Sequence, residues 1–306
     1  MDSNAPFSAE SVFHYTNARG LIGIIRSHRL WATESSSLND HAEMLQGWRF
    51  ARAWLESRPS EPIYSTMRSF VKDVDDRSAQ RDIFVLAASR NRDDASQWRL
   101  YANAGCGYSI ELDTSTPFYV VSPDRSSNAE EQQAVTRADL LEVSSWTDVI
   151  YNATDKEALL ESIAQSHAAR MRELERGVNS DCDEAWENWQ DDLFIALHEA
   201  VAKFKEPGFA GENECRIICR RIWSNKFAQH RATSYGVAPY LELGVHDKQV
   251  AVIRAVISVD ETGRLPIRSV TLGPLLRESN EVAVRSLLAA YGYYSVPIER
   301  SSLPLR

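Results

Sequence analysis

Segments with strand character lie towards both ends of the chain, and a mainly helical segment separates them. Short apolar runs at 11–16 and 82–89 predict strands before this segment, and the run at 214–221 predicts one after it. Residues 129–206 instead carry apolar side chains at helical spacing. Strands on both sides of a helical block favour an α+β fold over a doubly wound parallel sheet. We therefore predict one α+β domain, residues 1–306, with a helical insertion at 129–206.

Charge and composition limit the classes of function. The chain has 306 residues, of which 43% are hydrophobic, so it can bury a core without disulfides or metals. Its net charge of −9 argues against passive binding along a nucleic acid backbone, which needs a basic face. The charge still allows an enzyme that touches nucleic acid through a local patch such as Arg216, Arg220 and Arg221.

The cysteines and the N-terminal residues predict a cytoplasmic protein. Cys215 and Cys219 share one face of a predicted strand but lie about 13 Å apart, too far for a disulfide. Free thiols suit a reducing compartment. The first ten residues lack the pattern of a signal peptide, and no apolar run is long enough for a transmembrane helix. We expect no membrane partner, and the sequence does not specify an oligomeric state.

Glu212 and Glu214 are the leading candidates for chemistry. They stand at i and i+2 where a strand is predicted to begin, so alternation would place both carboxylates on one face. A carboxylate in a cleft has a raised pKa and can hydrogen-bond a sugar hydroxyl. The alternative is a solvated junction between loop and strand, and we expect Glu212 more than Glu214 to be solvated.

Two further segments carry candidate ligand contacts. His14, in the segment His14-Tyr15-Thr16, can hydrogen-bond a ligand hydroxyl in its neutral form, or can be a satisfied core residue. Trp98 and Tyr101 lie at i and i+3 on one helix face, which is either core or the wall of a site for a planar ring.

The segment Asn39-Asp40-x-x-Glu43 resembles a cluster of metal or ligand contacts. A capping box, with Asp40 as N-cap and Glu43 at N3, explains the same residues. The remaining histidines and acidic residues form no zinc pattern, so we predict no metal site.

The order of these segments resembles a widespread bacterial family of unknown function. Its members share an HYT start, an LND-x-x-E segment, a W-x-x-Y helix and an E-x-E-x-R strand. The corresponding residues here are 14–16, 38–43, 98–101 and 212–216.

The pattern is more distantly similar to the ADP-ribosyltransferase superfamily. That resemblance implies a mixed, mainly antiparallel sheet and NAD as substrate. His14 and Thr16 match the H-x-T motif of the first strand, Ser89 matches the serine-ended strand in part, and Glu212 and Glu214 match E-x-E.

The second resemblance also implies roles for these residues. His14 and Thr16 would orient the adenosine-side ribose, Glu214 would stabilise an oxocarbenium-like transition state, and Glu212 would position or deprotonate the acceptor. An aromatic ring would hold nicotinamide, and three rings remain open for that role: Tyr101, Trp98 and Trp31. Tyr15 and Asn39 complete the expected NAD contacts. The acceptor would be a macromolecule, either protein or nucleic acid.

Three functions follow as expectations. The first is an NAD-consuming transferase or glycohydrolase that acts as a bacterial toxin or in anti-phage defence. The second is a non-catalytic module that binds a nucleotide or a partner. The third is a metal-dependent nuclease that uses Asp40, Glu43 and Glu214.

Overall fold

The chain divides into two compact units. A computed structural model describes residues 11–37, 42–72, 83–122, 141–176, 182–221, 227–233, 236–248 and 255–304. The first unit comprises Met1–Thr33, Phe84–Thr147 and Glu212–Arg306, and the second comprises Glu34–Ile83 and Asp148–Gly211. The helical residues after 148 thus lie in one unit with an earlier segment of the chain.

The described residues contain a mixed, mostly antiparallel sheet of 13 strands, which confirms the α+β prediction. The strands are β1 Ser11–Thr16, β2 Leu30–Glu34, β3 Ile83–Ser89, β4 Tyr108–Asp113, β5 Tyr119–Val121, β6 Leu141–Val143, β7 Thr147–Asp148, β8 Glu214–Arg221, β9 Gln229–Thr233, β10 Gly236–Gly244, β11 Val256–Ile257, β12 Ile267–Leu272 and β13 Ile298–Arg300. The principal order is β11-β5-β10-β2-β3-β1-β4-β12-β13. In addition, β8 pairs with β3, β6 and β7, and β9 pairs with β10. The pairs β11–β5 and β12–β13 are parallel.

Strand β1 pairs very differently with its two neighbours. All six of its residues pair with β4, from Ser11 opposite Asp113 to Thr16 opposite Tyr108. Among the described residues, its pairing with β3 is confined to Phe13 opposite Ser89. Since a continuous ladder would pair several residues, β1 and β3 diverge away from this point. Where the two strands diverge, a side chain can hydrogen-bond the backbone of β3 in place of β1. This point lies beside Ser89, one of the predicted site residues.

Helices of the first unit cover one face of the sheet. The apolar residues of α1 (Ala18–Ser27) and α7 (Ser279–Ala290) join alternate strand residues in one large core. Asn17 caps α1, because its side chain accepts a hydrogen bond from Gly20 N at 2.9 Å, a contact worth about 1 kcal/mol. On β1, Val12 enters this core whereas Phe13 and Tyr15 pack on the opposite side with the helix α4 (Ala95–Tyr101), as strand alternation requires.

The second unit is built from four helices among its described residues. They are α2 Ala42–Glu56, α3 Pro62–Val71, α5 Ala153–Arg176 and α6 Cys182–Ala202. Its fully buried side chains include Trp48, Trp189, Leu193 and Leu197, which the helical spacing placed on inward faces. In the part of the chain that is described, the helices are too short or too polar to cross a membrane.

The cysteines that the structure describes carry free thiols, as the sequence predicts. Cys106, Cys215 and Cys219 are free, and the last two are buried. Burial raises the pKa of Cys219 far above its ordinary value, so this thiol stays protonated at neutral pH.

Candidate functional site

Glu212 and Glu214 do not share one strand. Glu212 ends a 3-10 turn, Pro207–Glu212, and only Glu214 belongs to β8. Between them Asn213 takes a left-handed backbone conformation, with φ of 45°. Strand alternation therefore does not relate the two carboxylates, and that prediction is wrong. The expectation that Glu212 is solvated is also wrong, because Glu212 is 9% exposed and Glu214 is 8% exposed.

Glu214 forms a buried, two-point ion pair with Arg216. Arg216 Nε lies 2.6 Å from Glu214 Oε1, and Nη2 lies 3.0 Å from Oε2. Both side chains are on β8 two residues apart, so alternation puts them side by side on one face. A guanidinium fork that meets both carboxylate oxygens is the strongest geometry for such a pair. Arg216 therefore favours the ionised form of Glu214 inside the protein.

Glu212 is held by residues from two other segments. The Tyr101 hydroxyl donates to Glu212 Oε1 at 3.2 Å, and Ser89 Oγ donates to the Glu212 carbonyl at 2.6 Å. In addition, Arg90 N donates to the Asn213 carbonyl at 2.8 Å. Glu212 and Asn213 are thus held against the C-terminal end of β3. Ser89, predicted as a ligand contact, positions Glu212.

His14 sits where β1 and β3 diverge. Its Nδ1 lies 3.0 Å from the Ala87 carbonyl, two residues before Ser89. Burial lowers the pKa of His14 below 6.5 and outweighs the opposite effect of this hydrogen bond. The ring is therefore neutral at neutral pH, donates from Nδ1 and presents Nε2 as an acceptor.

Thr16 lies at the start of α1. A Cβ atom on Gly20 would fall 2.0 Å from Thr16 Oγ1, so this hydroxyl fills the space beside the glycine. Gly20 is therefore required for close contact between the end of β1 and the first turn of α1.

The four predicted aromatic contacts separate into a buried and an exposed pair. Trp98 is 0% exposed, donates from Nε1 to Asp93 Oδ1 at 2.6 Å, and meets Tyr15 edge to face at 4.9 Å. Tyr15 is buried and donates its hydroxyl to the Asn91 carbonyl at 2.9 Å. Tyr101 and Trp31 are 40% and 44% exposed. Only the exposed pair offers a ring face to a ligand in this conformation.

The predicted residue Asn39 lies outside the described residues. Asp40 does too, and the side chain of Glu43 is likewise not described. The capping box and the nuclease site proposed for this segment therefore stay predictions. Among the described side chains, no three from His, Cys, Asp and Glu lie close enough together to hold a metal ion.

Asp93 is a partly buried acceptor that the sequence did not reveal. Asp94 is the N-cap of α4 and accepts hydrogen bonds from Ser96 N and Gln97 N. Asp93 accepts instead from Trp98 Nε1 and from the distant Ser301 Oγ and Ser302 N. Burial raises the pKa of Asp93, but the hydrogen bonds outweigh it and hold the pKa below 3.8.

We expect Asp93→Asn to lower the free energy of unfolding at pH 7 by about 1–2 kcal/mol, since it weakens hydrogen bonds to a charged, partly exposed acceptor. A lowered folded-state pKa stabilises the fold above the unfolded pKa, and this stabilisation is lost as pH falls through the folded pKa. Denaturant unfolding of both proteins at pH 7 and pH 3 measures it. The difference between them should shrink at pH 3, and a pH-independent difference would contradict this account.

The comparisons with known proteins give one match. Residues 97–217 match a family model described as Protein of unknown function (DUF2971). This range includes the W-x-x-Y helix and the E-x-E-x-R strand, and the HYT and LND-x-x-E segments lie outside it. No curated protein and no solved structure matches the chain significantly. The resemblance to an uncharacterised family is thus supported in part, and no comparison links the chain to ADP-ribosyltransferases.

Proposed function

We propose that the chain is an NAD-consuming enzyme, an ADP-ribosyltransferase that transfers to a protein or nucleic acid acceptor or, with water as acceptor, an NAD glycohydrolase. One observation carries the proposal. Ser89 and Tyr101 both donate hydrogen bonds to Glu212 at the C-terminal end of β3. His14 hydrogen-bonds the Ala87 carbonyl on the same strand, two residues before Ser89. Glu214, two residues after Glu212, begins β8. Candidate residues that are far apart in the sequence therefore lie near the C-terminal end of β3, together with the buried carboxylate of Glu212.

The reaction breaks the bond between ribose C1′ and the nicotinamide nitrogen. The bonding electron pair stays on that nitrogen, which was cationic, so nicotinamide leaves neutral. A lone pair of the acceptor, or of water, forms the new bond to C1′, and the acceptor's proton passes to a base and then to solvent. The transition state carries positive charge on the ribose ring, and a fixed anion beside it stabilises that charge.

Glu214 fits the role of the fixed anion. Arg216 favours its ionised form and fixes the orientation of its carboxylate through two hydrogen bonds. The site needs no reorganisation for this, since the ion pair fixes the rotamer before substrate binds. Glu212 would receive the proton of the acceptor, with Tyr101 orienting it.

His14 and Tyr101 fit the roles of NAD contacts. Neutral His14 can accept a hydrogen bond from a ribose hydroxyl on Nε2. Tyr101 combines an exposed ring face with a hydroxyl bound to Glu212, so a nicotinamide stacked on it would lie next to the carboxylates.

Variants of Tyr101 separate the contribution of its hydroxyl from that of its ring. Tyr101→Phe keeps the ring and removes the donor to Glu212, so we expect kcat/KM for NAD to fall about 5- to 10-fold, the value of one hydrogen bond. Tyr101→Ala also removes the ring and should raise KM about 10-fold further. Steady-state nicotinamide release measures both. A Tyr101→Ala protein with wild-type KM would exclude stacking at this position.

The experiment that tests the proposed function follows nicotinamide release from NAD with and without a metal chelator. We expect release that the chelator leaves unchanged. NAD radiolabelled in its adenylate half, added with a cell extract, then reports whether the label enters protein or nucleic acid. Chelator-sensitive cleavage of nucleic acid with no nicotinamide release would instead support the metal-dependent nuclease.

A non-catalytic nucleotide- or partner-binding module is the second candidate. The ion pair between Glu214 and Arg216 favours this candidate. Arg216 contacts both carboxylate oxygens, so its positive charge offsets the negative charge that catalysis would need. NAD binding without nicotinamide release would identify this case. A role as toxin or anti-phage effector would follow from the enzyme class, and it rests on transfer to a cellular acceptor.

A further inference from the structure

The sheet face opposite the main core carries an exposed tryptophan on an interior strand. Strand β2 lies between β10 and β3 in the sheet. Leu30 and Ala32 enter the main core, so alternation directs Trp31 to the other face, where it is 44% exposed. A large ring left open in the middle of a sheet marks a surface suited to binding a flat, apolar group.

Two neighbours hold the Trp31 ring in place. The Tyr240 ring lies 4.6 Å away between centroids at an angle of 40°, and the Arg231 guanidinium lies 5.5 Å from the Trp31 centroid. A ring that is already held loses little conformational freedom when a ligand stacks on it. Trp31 therefore has the exposure and the fixed orientation of a stacking platform.

Arg231 supplies a cation over one face of the Trp31 ring. Its Nη2 donates to Thr33 Oγ1 at 2.9 Å, whereas its Nε is buried and has no hydrogen-bond acceptor among the described residues. The nearby carboxylate of Glu242, opposite Trp31 across the β2–β10 pair, is already paired with Arg29. Burial lowers the pKa of Arg231, but an arginine still carries its charge at neutral pH. A partly buried cation of this kind favours an anionic oxygen as ligand.

We propose that Trp31 and Arg231 bind a nucleobase and its adjacent phosphate, the base stacked on the indole and the phosphate on the guanidinium. Aromatic stacking with an arginine alongside is the usual way in which proteins hold unpaired nucleotides. The adenylate half of NAD and a nucleotide within a single strand present this same chemistry. The inference deepens the proposed function and rests on it, since the nucleotide is either the substrate or part of the acceptor.

Equilibrium binding tests the inference without turnover. Calorimetry would use adenosine, AMP, ADP-ribose and a short single-stranded oligoadenylate, with wild-type protein and the variants Trp31→Phe, Trp31→Ala and Arg231→Gln. Tyr294→Ala is the matched control, because it removes another exposed aromatic ring, 79% exposed. Trp31→Phe retains an aromatic ring, so it can still be measured if Trp31→Ala fails to fold.

We expect Trp31→Ala to weaken binding of adenosine and AMP alike by about 10- to 100-fold, Trp31→Phe to weaken it less, and Tyr294→Ala to leave it unchanged. Arg231→Gln should weaken the binding of AMP and leave the binding of adenosine unchanged. Tighter binding of ADP-ribose than of the strand would assign the platform to NAD, and the reverse would assign it to the acceptor. Unchanged affinities in all three variants would overturn the inference, even if NAD is cleaved. Binding that depends on Trp31 without NAD cleavage would overturn the proposed function alone.

Discussion

Arg216→Met is expected to lower the free energy of unfolding by about 3–5 kcal/mol, the usual cost of leaving one partner of a buried ion pair without its counter-charge. The pair is buried on both sides, and methionine retains most of the volume of the arginine stem. The loss should therefore arise from removal of the positive charge beside the Glu214 carboxylate and not from a cavity. Urea unfolding of wild type and variant at pH 7 measures it.

The pH dependence of this loss identifies its cause. Without Arg216, burial raises the folded-state pKa of Glu214 above its unfolded value. A carboxylate shifted in that direction destabilises the fold at high pH. This effect declines as pH falls through the folded pKa and is absent below the unfolded pKa. The deficit of Arg216→Met should thus shrink between pH 7 and pH 4.

A matched control lies on the same strand. Arg220 is buried, but its partner Glu142 is 50% exposed, so Arg220→Met leaves a carboxylate that water can solvate. We expect Arg220→Met to cost less than about 1 kcal/mol from the ion pair. Equal losses for Arg216→Met and Arg220→Met would show that burial of the Glu214 pair has no special energetic consequence.

Glu214→Gln is expected to lower the rate of NAD cleavage by about 100- to 1000-fold, the typical effect of removing one group that stabilises charge in a transition state. Glutamine keeps the size and one acceptor oxygen of glutamate but not its charge. Nicotinamide release under saturating NAD measures the rate, since the loss should fall on kcat.

Stability must be separated from catalysis in this variant, because Glu214→Gln also removes the anion beside the buried Arg216. The pair of proteins Arg216→Met and Glu214→Gln/Arg216→Met removes that difficulty, since both lack Arg216 and differ only in the carboxylate. Measured at a temperature where both are folded, the single variant should release nicotinamide faster than the double variant. Equal activity in the two proteins would remove Glu214 from the mechanism.

Local patterns in the sequence were sufficient to predict most of the fold. The apolar stripe of α1, its Asn17 cap and the buried strand β3 depend on residues within a few positions of each other. The helix α3 was not predicted, although its buried residues Ile63, Tyr64, Met67 and Val71 recur at helical spacing.

The site could be predicted only as separate pieces. The contact of Tyr101 with Glu212 joins residues 111 positions apart, and no local pattern encodes such a pairing. The prediction that Glu212 and Glu214 share one face assumed extended backbone between them. Asn213 instead has a left-handed conformation, so strand alternation does not apply there. Helical spacing put Trp98 and Tyr101 on the same side of α4, but it could not show that the helix ends at Tyr101 and leaves only that ring exposed.

Incubation of the wild-type protein with NAD, followed by measurement of free nicotinamide, tests the central claim most directly. We predict nicotinamide release above that of heat-denatured protein, with a strong loss in Glu214→Gln. No release, with nucleotide and cell-extract acceptors both supplied and NAD binding verified by calorimetry, would contradict the claim and leave a binding module on the same fold.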